Sequence, residues 1–192
     1  MHIKEKLQTF CKKLLEWSVV PVCQLTDLEA VECGYKKGHT PPEDGWLPLT
    51  FMHGKDKHYW IRTKLHTPPA EAASTYLLRF TTGTTGWDAT NPQGLLYLNG
   101  RMTQGLDTNH MEAFLDADTD YEVLVYFYTG VVDRPFPLTT ELVKCYTDVD
   151  GLYYDILTPL EALDFLNENT GEYKAILHSL EKAVNLVETR AI

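Results

Sequence analysis

The chain is 192 residues long, 44% hydrophobic and 23% charged, with 17 Lys and Arg against 27 Asp and Glu for a net charge of −10. That length holds one ordinary domain plus an appendage but not two full domains, and the composition is globular, not disordered. The acidity repels phosphate backbones, and no basic cluster interleaved with aromatics offsets it, which argues against nucleic acid as a partner and against an anionic membrane surface.

In chain order, Ile3, Leu7, Phe10, Cys11, Leu14 and Trp17 recur at helical spacing and predict an amphipathic helix over about 3–17, stopped by Pro21. Lys4, Lys6, Lys12 and Lys13 fall on or near its solvated face. Gln24 to Cys33 is read as a short strand or turn, and Pro41-Pro42 with Asp44-Gly45 marks a loop before Trp46. From Tyr59 the period becomes two: Tyr59, Ile61 and Leu65 share one face, Arg62 and Lys64 the other. Pro68-Pro69 ends that strand because a residue without an N–H cannot continue a ladder. Thr75 to Thr81 reads as the next strand. Gly83 to Gly94 is a loop whose length, about a dozen residues, usually serves a site or a contact.

The stretch Gly94 to Leu115 organises the rest. Leu95-Leu96-Tyr97-Leu98 suits a strand buried on both faces, and Asn99-Gly100 is the strongest short-range signal for a two-residue hairpin turn. A polar loop, Gly105 to His110, then precedes the strand-like Ala113-Phe114-Leu115. Tyr121 to Tyr128 is apolar in both registers apart from Glu122 and predicts a central strand covered on both sides. Leu142 to Tyr146 looks like the last strand. Short strands with long polar connections predict an antiparallel β-sandwich of the jelly-roll, galactose-binding-domain-like type, mainly β with helical ends.

Beyond about residue 148 the spacing is helical again. Leu152, Tyr153, Ile156 and Leu160 mark one helix, kinked or broken by Pro159, and Tyr173, Ile176, Leu177, Leu180, Val184 and Val187 a second over about 171–189. Asn169 and Glu172 stand at capping-box spacing before it. The tail is thus predicted to be an αα-hairpin. Its last helix carries a broad apolar stripe that must dock on the sandwich, on the first helix or on a body outside the chain.

Motifs for catalysis are sparse. Cys11, Cys23, Cys33 and Cys145 form no C-x-x-C pair and read as reduced thiols, some of them buried, with Cys145 inert inside a strand. The three serines, Ser18, Ser74 and Ser179, sit in no nucleophile elbow, and no phosphate-binding glycine motif occurs. His53 and His58 are five apart, off the spacing for one helix face, and Asp107 with His110 is the other close pair of metal-ligand type.

The run LLYLNGRMTQGLDTNH, Leu95 to His110, closely resembles a segment of the N-terminal, non-catalytic domain of family-38 glycoside hydrolases, the retaining α-mannosidases, of bacterial, fungal and cytosolic type. Asp44-Gly45-Trp46, Tyr59-Trp60-Ile61-Arg62, Tyr121 to Gly130, Leu152-Tyr153-Tyr154-Asp155 and Asn185-Leu186-Val187 resemble further stretches of the same family. Two departures stand out: Thr108 occupies a position where the family commonly has Arg, and His53 to His58 replaces its Trp-Gly element.

The resemblance implies an N-terminal portion of a longer, cytoplasmic α-mannosidase: a helix over 1–20, a β-sandwich over 21–148, and a helical linker over 149–192 leading toward a catalytic barrel. It implies no cofactor in this chain. The zinc and the aspartate nucleophile of retaining hydrolysis would belong to the catalytic domain, whose H-x-D motif does not occur here. The implied partners are that catalytic domain, α-mannoside glycans and other copies of the chain, without nucleic acid or membrane.

The candidate contact residues are Asp107, Asn109 and His110, with Trp87 in the long Gly83–Gly94 loop. Three readings stay open for the Asp107–His110 cluster: an Asx-type turn satisfying its own backbone, a contact with a neighbouring domain near its active site, or direct sugar binding. For Trp87, and for Trp46 and Tyr97, stacking on a sugar competes with covering an end of the sandwich or touching another domain. The rival to a packing domain is therefore an autonomous carbohydrate-binding module. A complete small enzyme is a third reading, with no catalytic motif to support it.

Overall fold

The computed structural model describes residues 3–35, 40–50, 52–83, 92–133 and 135–187. These form two compact units. One takes the chain up to Val20, Glu71–Ser74 and the chain from Lys144; the other takes Pro21–Ala70 and Thr75–Val143.

The second unit holds an antiparallel β-sandwich. Its strands are β1 (Val19–Gln24), β2 (Glu29–Cys33), β3 (Leu47–Pro48), β4 (His58–His66), β5 (Ser74–Thr81), β6 (Gln93–Leu98), β7 (Arg101–Leu106), β8 (Glu112–Leu115), β9 (Asp120–Tyr128) and β10 (Thr139–Tyr146), the ends of β1, β5 and β10 reaching past its boundary. One sheet has the order β1-β10-β5-β8, the other β3-β2-β4-β9-β6-β7. Every pairing in the six-stranded sheet is antiparallel. Period-two alternation turns one face of each strand inward, so that Ile61, Leu96, Val123, Val125 and Phe127 meet Tyr76, Leu78, Ala113, Leu115 and Leu142 in one core. Truncating a fully buried member such as Leu96 to Ala costs about 2–5 kcal/mol.

The hairpin predicted at Asn99-Gly100 is present. Leu98 pairs with Arg101, and Asn99 and Gly100 take the positive φ values, 50° and 77°, that a two-residue turn with the twist of its strands needs. A bulge follows, Leu96 opposing Gln104 and Tyr97 opposing Met102, which leaves Thr103 as the extra residue on β7. β7 is the edge of its sheet, and a bulge there hinders pairing with a foreign strand.

Two burial expectations need correction. β6 is not buried on both faces: Leu96 and Leu98 are buried while Leu95 and Tyr97 are only half-buried. β9 is interior to its sheet, between β4 and β6, yet its outward residues Asp120 and Glu122 are exposed and only Tyr126 on that face is buried. Apolar character in both registers reflects Leu124, Tyr126 and Tyr128 on the outer face, where both tyrosine rings pack against His58. The strand β1 lies where the sequence showed only the end of a helix, because α1 (Ile3–Ser18) passes into extended chain at Val19, before Pro21.

The first unit is helical. Helices α1, α2 (Thr147–Ala162) and α3 (Gly171–Leu186) bury Leu7, Phe10, Cys11, Leu14, Ile156, Leu160, Tyr173, Leu180 and Val184 in a common core, with Leu163 from a short 3-10 turn. The last helix therefore docks its stripe on α1 and α2. Lys4 pairs with Asp164, and Lys6 donates to Asn185 at 2.5 Å. Pro159 does not break α2, which runs through it to Ala162. The cap of α3 is Thr170, whose hydroxyl accepts from the Tyr173 amide at 3.3 Å, one residue later than the Asn169–Glu172 pair had placed it. No helix among the described residues is long and apolar enough to cross a membrane.

Candidate functional site

The Asp107–His110 turn carries the chain from β7 of one sheet to β8 of the other. Leu106, last residue of β7, is anchored in the core, and Ala113 returns to it. Between them Asp107 Oδ1 accepts three hydrogen bonds: from the Asn109 amide at 2.8 Å, the His110 amide at 2.8 Å and His110 Nδ1 at 2.9 Å. The amide of each end residue also reaches the carbonyl of the other at 3.3 Å. Burial alone would raise the Asp107 pKa; the Asn109 and His110 hydrogen bonds outweigh it and hold the carboxyl below its ordinary value.

The cluster is thus an Asx-type turn that satisfies its own backbone, one of the three readings open from the sequence. Its carboxylate is engaged and ill-suited to proton transfer. What it presents outward is the His110 ring, 67% exposed with Nε2 pointing away from its aspartate bond, and the exposed side chain of Asn109. Both residues line a shallow depression of about 430 Å³ shared with Arg79, Glu112 and the exposed ring of Phe114. Trp87, the fourth candidate, lies outside the described residues.

A second feature occupies the outer face of the six-stranded sheet. Strand register sets Glu29 opposite Arg62 and Lys64 opposite Glu122, and both pairs close, at 2.6 Å and 3.4 Å. The Pro41 to Trp46 segment lies beside them. Trp46 Nε1 donates to the Pro42 carbonyl at 3.1 Å, and the Arg62 guanidinium sits 4.3 Å above the centre of the indole. Together they bound an open cleft of about 780 Å³ that Asp27 and Glu43 also line. The sequence placed Arg62 and Lys64 on one strand face and proposed Trp46 as a stacking residue. It could not show that a loop more than ten residues away in the chain brings the two together.

Further along the same face, the cross-strand partners His58 with Tyr128 and Trp60 with Tyr126 build an aromatic layer, the His58 ring stacked 5.4 Å from Tyr126 and the Trp60 ring 5.6 Å from Tyr97. Tyr97 is therefore engaged with Trp60, which is 1% exposed. The available signal for this layer was the period-two spacing of His58 and Trp60 in β4 and of Tyr126 and Tyr128 in β9. Among the described residues no three His, Cys, Asp or Glu side chains converge as a metal-binding group.

Comparison with known families finds no matching family model, and comparison with curated proteins finds no match. Among solved structures the chain is similar to a beta-glucuronidase from an uncultured Clostridium species, at 14% identity and a TM-score of 0.42 over 68% of this chain. The match covers 29% of that protein's length.

Proposed function

We propose that the chain is a non-catalytic β-sandwich with a helical arm, belonging to a cytoplasmic α-mannosidase of the family-38 type, where it packs on the catalytic barrel and shapes the approach to its active site. The full protein would hydrolyse α-mannosides with retention, its zinc and its nucleophile supplied by the catalytic domain. One observation supports this most directly: the string that resembles the family folds as a single unit, a tight hairpin ending in a turn whose aspartate is locked to its own backbone. Asn109 and His110 are left pointing outward. Such a turn is built to present a fixed surface, not to transfer protons.

The reading frame downstream of Ile192 in the source genome tests the proposal. It should continue into a domain carrying an H-x-D motif, and His110→Ala in that full-length protein should raise KM for an α-mannoside more than it lowers kcat. A stop codon at that point, or α-mannoside turnover by the 192-residue chain alone, would falsify it.

A further inference from the structure

We infer that the cleft between the Pro41–Trp46 segment and the outer face of β2, β4 and β9 is a binding site for a short neutral oligosaccharide. The inference goes beyond the accessory-domain reading and does not depend on it, since it rests on the cleft alone.

Three properties point to that ligand class. The volume, about 780 Å³, lies within the range of roughly 300–1,000 Å³ typical of small-molecule sites, large enough for more than one sugar ring. The lining joins an apolar wall, Pro41, Pro42 and the half-buried indole of Trp46, to polar groups on a sheet. Sugar rings offer the matching surfaces, C–H faces for the indole and hydroxyls for the polar side chains. Finally, the charges favour a neutral guest. Glu29 neutralises Arg62 and Glu122 neutralises Lys64, so the remaining charged groups at the cleft, Asp27 and Glu43, are carboxylates. They repel phosphorylated or carboxylated ligands while accepting hydrogen bonds from hydroxyls.

The site is also held in place. Arg62 lies on an interior strand, is fixed by Glu29 from β2, and packs on one face of the Trp46 indole at 4.3 Å, while the Trp46 Nε1 bond to Pro42 ties the loop to itself. A pre-set aromatic wall lowers the ordering cost of binding a weak, flexible ligand.

Titration calorimetry on the whole chain tests this, with mannobiose, maltose, cellobiose and chitobiose as probes and glucose 6-phosphate as an anionic control. At least one neutral disaccharide should bind in the micromolar-to-millimolar range, and glucose 6-phosphate should not. Trp46→Ala should weaken binding at least about tenfold, equivalent to about 1.4 kcal/mol, and Arg62→Lys should weaken it as well. Phe165→Ala, at an exposed position after α2, should leave it unchanged. If Trp46→Ala unfolds, the wild-type indole N–H resonance of Trp46 serves instead, and it should move on titration. Absence of binding by all four disaccharides, retention in Trp46→Ala, a static indole signal, or loss in Phe165→Ala instead each overturns the inference. None of these results bears on the reading-frame test, so the two proposals fail separately.

Discussion

Asn99 is fastened to Glu122 by two hydrogen bonds running in opposite directions: its amide donates to the Glu122 carbonyl at 2.9 Å, and the Glu122 amide donates to its Oδ1 at 2.8 Å. Its Nδ2 adds a third bond, to the Asp120 carbonyl at 3.1 Å. The turn residue that closes the β6–β7 hairpin thereby also fixes the start of β9. Its two roles, tolerance of a positive φ and side-chain bonding, can be separated. Asn99→Gly keeps the first and loses the second, costing about 1–2 kcal/mol for exposed bonds. Asn99→Ala loses both and should cost about 1 kcal/mol more. Urea unfolding midpoints of the three proteins check the order; equal midpoints for the two variants would remove the backbone contribution.

Two buried threonines make a contrasting pair. Thr67 Oγ1 donates to the Asp116 carbonyl at 2.7 Å and accepts from the Thr119 amide at 2.9 Å, binding the end of β4 to the turn before β9. Thr140 is equally buried, and its hydroxyl has no partner among the described residues. Replacing a hydroxyl by a methyl is nearly isosteric. Thr67→Val should destabilise by about 1–3 kcal/mol, because it strands a carbonyl and an amide, whereas Thr140→Val should be neutral or stabilising by up to about 1 kcal/mol. Thermal unfolding of both variants checks the signs.

The elements legible from sequence were those with a local cause. Asn99-Gly100 dictates its turn through φ alone, and the alternation from Tyr59 to Leu65 places Arg62 and Lys64 outside without knowledge of any neighbour. β1 was missed because Val19 to Gln24 is mostly exposed, so burial left no alternation to read. The Asp107 turn is visible as a cluster, but only the fold shows its carboxylate already committed to three N–H groups. The Trp46–Arg62 contact joins a loop to a strand through space, and one sequence carries no record of such a pairing.

The four thiols should differ in reactivity. Cys23 is exposed on β1 and Cys33 is partly covered, whereas Cys11 and Cys145 are 4% and 5% exposed. Burial also pushes the Cys11 thiol up from its ordinary value, so less of it is thiolate at neutral pH. A timed reaction with a thiol-specific disulfide reagent, followed by peptide mapping, should label Cys23 first, Cys33 next, and Cys11 and Cys145 only on unfolding. Labelling of Cys11 at the Cys23 rate would mean that the helical core opens readily.

The Asp107 turn should loosen in acid. Its folded pKa is lowered, the three accepted hydrogen bonds outweighing the effect of burial, so its stabilisation requires the carboxylate. For a depressed carboxyl that stabilisation is complete above the unfolded value, about pH 4, and is lost as pH falls through the lower folded one. Amide resonances of Asn109 and His110 should hold their positions down to about pH 4 and move together below it. In Asp107→Ala they should already be displaced at neutral pH and show no such step. Asp107→Asn, like the protonated acid, keeps one acceptor oxygen but not the charge, so its turn should already be weaker than wild type at neutral pH and show no step in acid. A wild-type turn no firmer than that of Asp107→Asn at neutral pH would show that the charge of Asp107 contributes nothing to it.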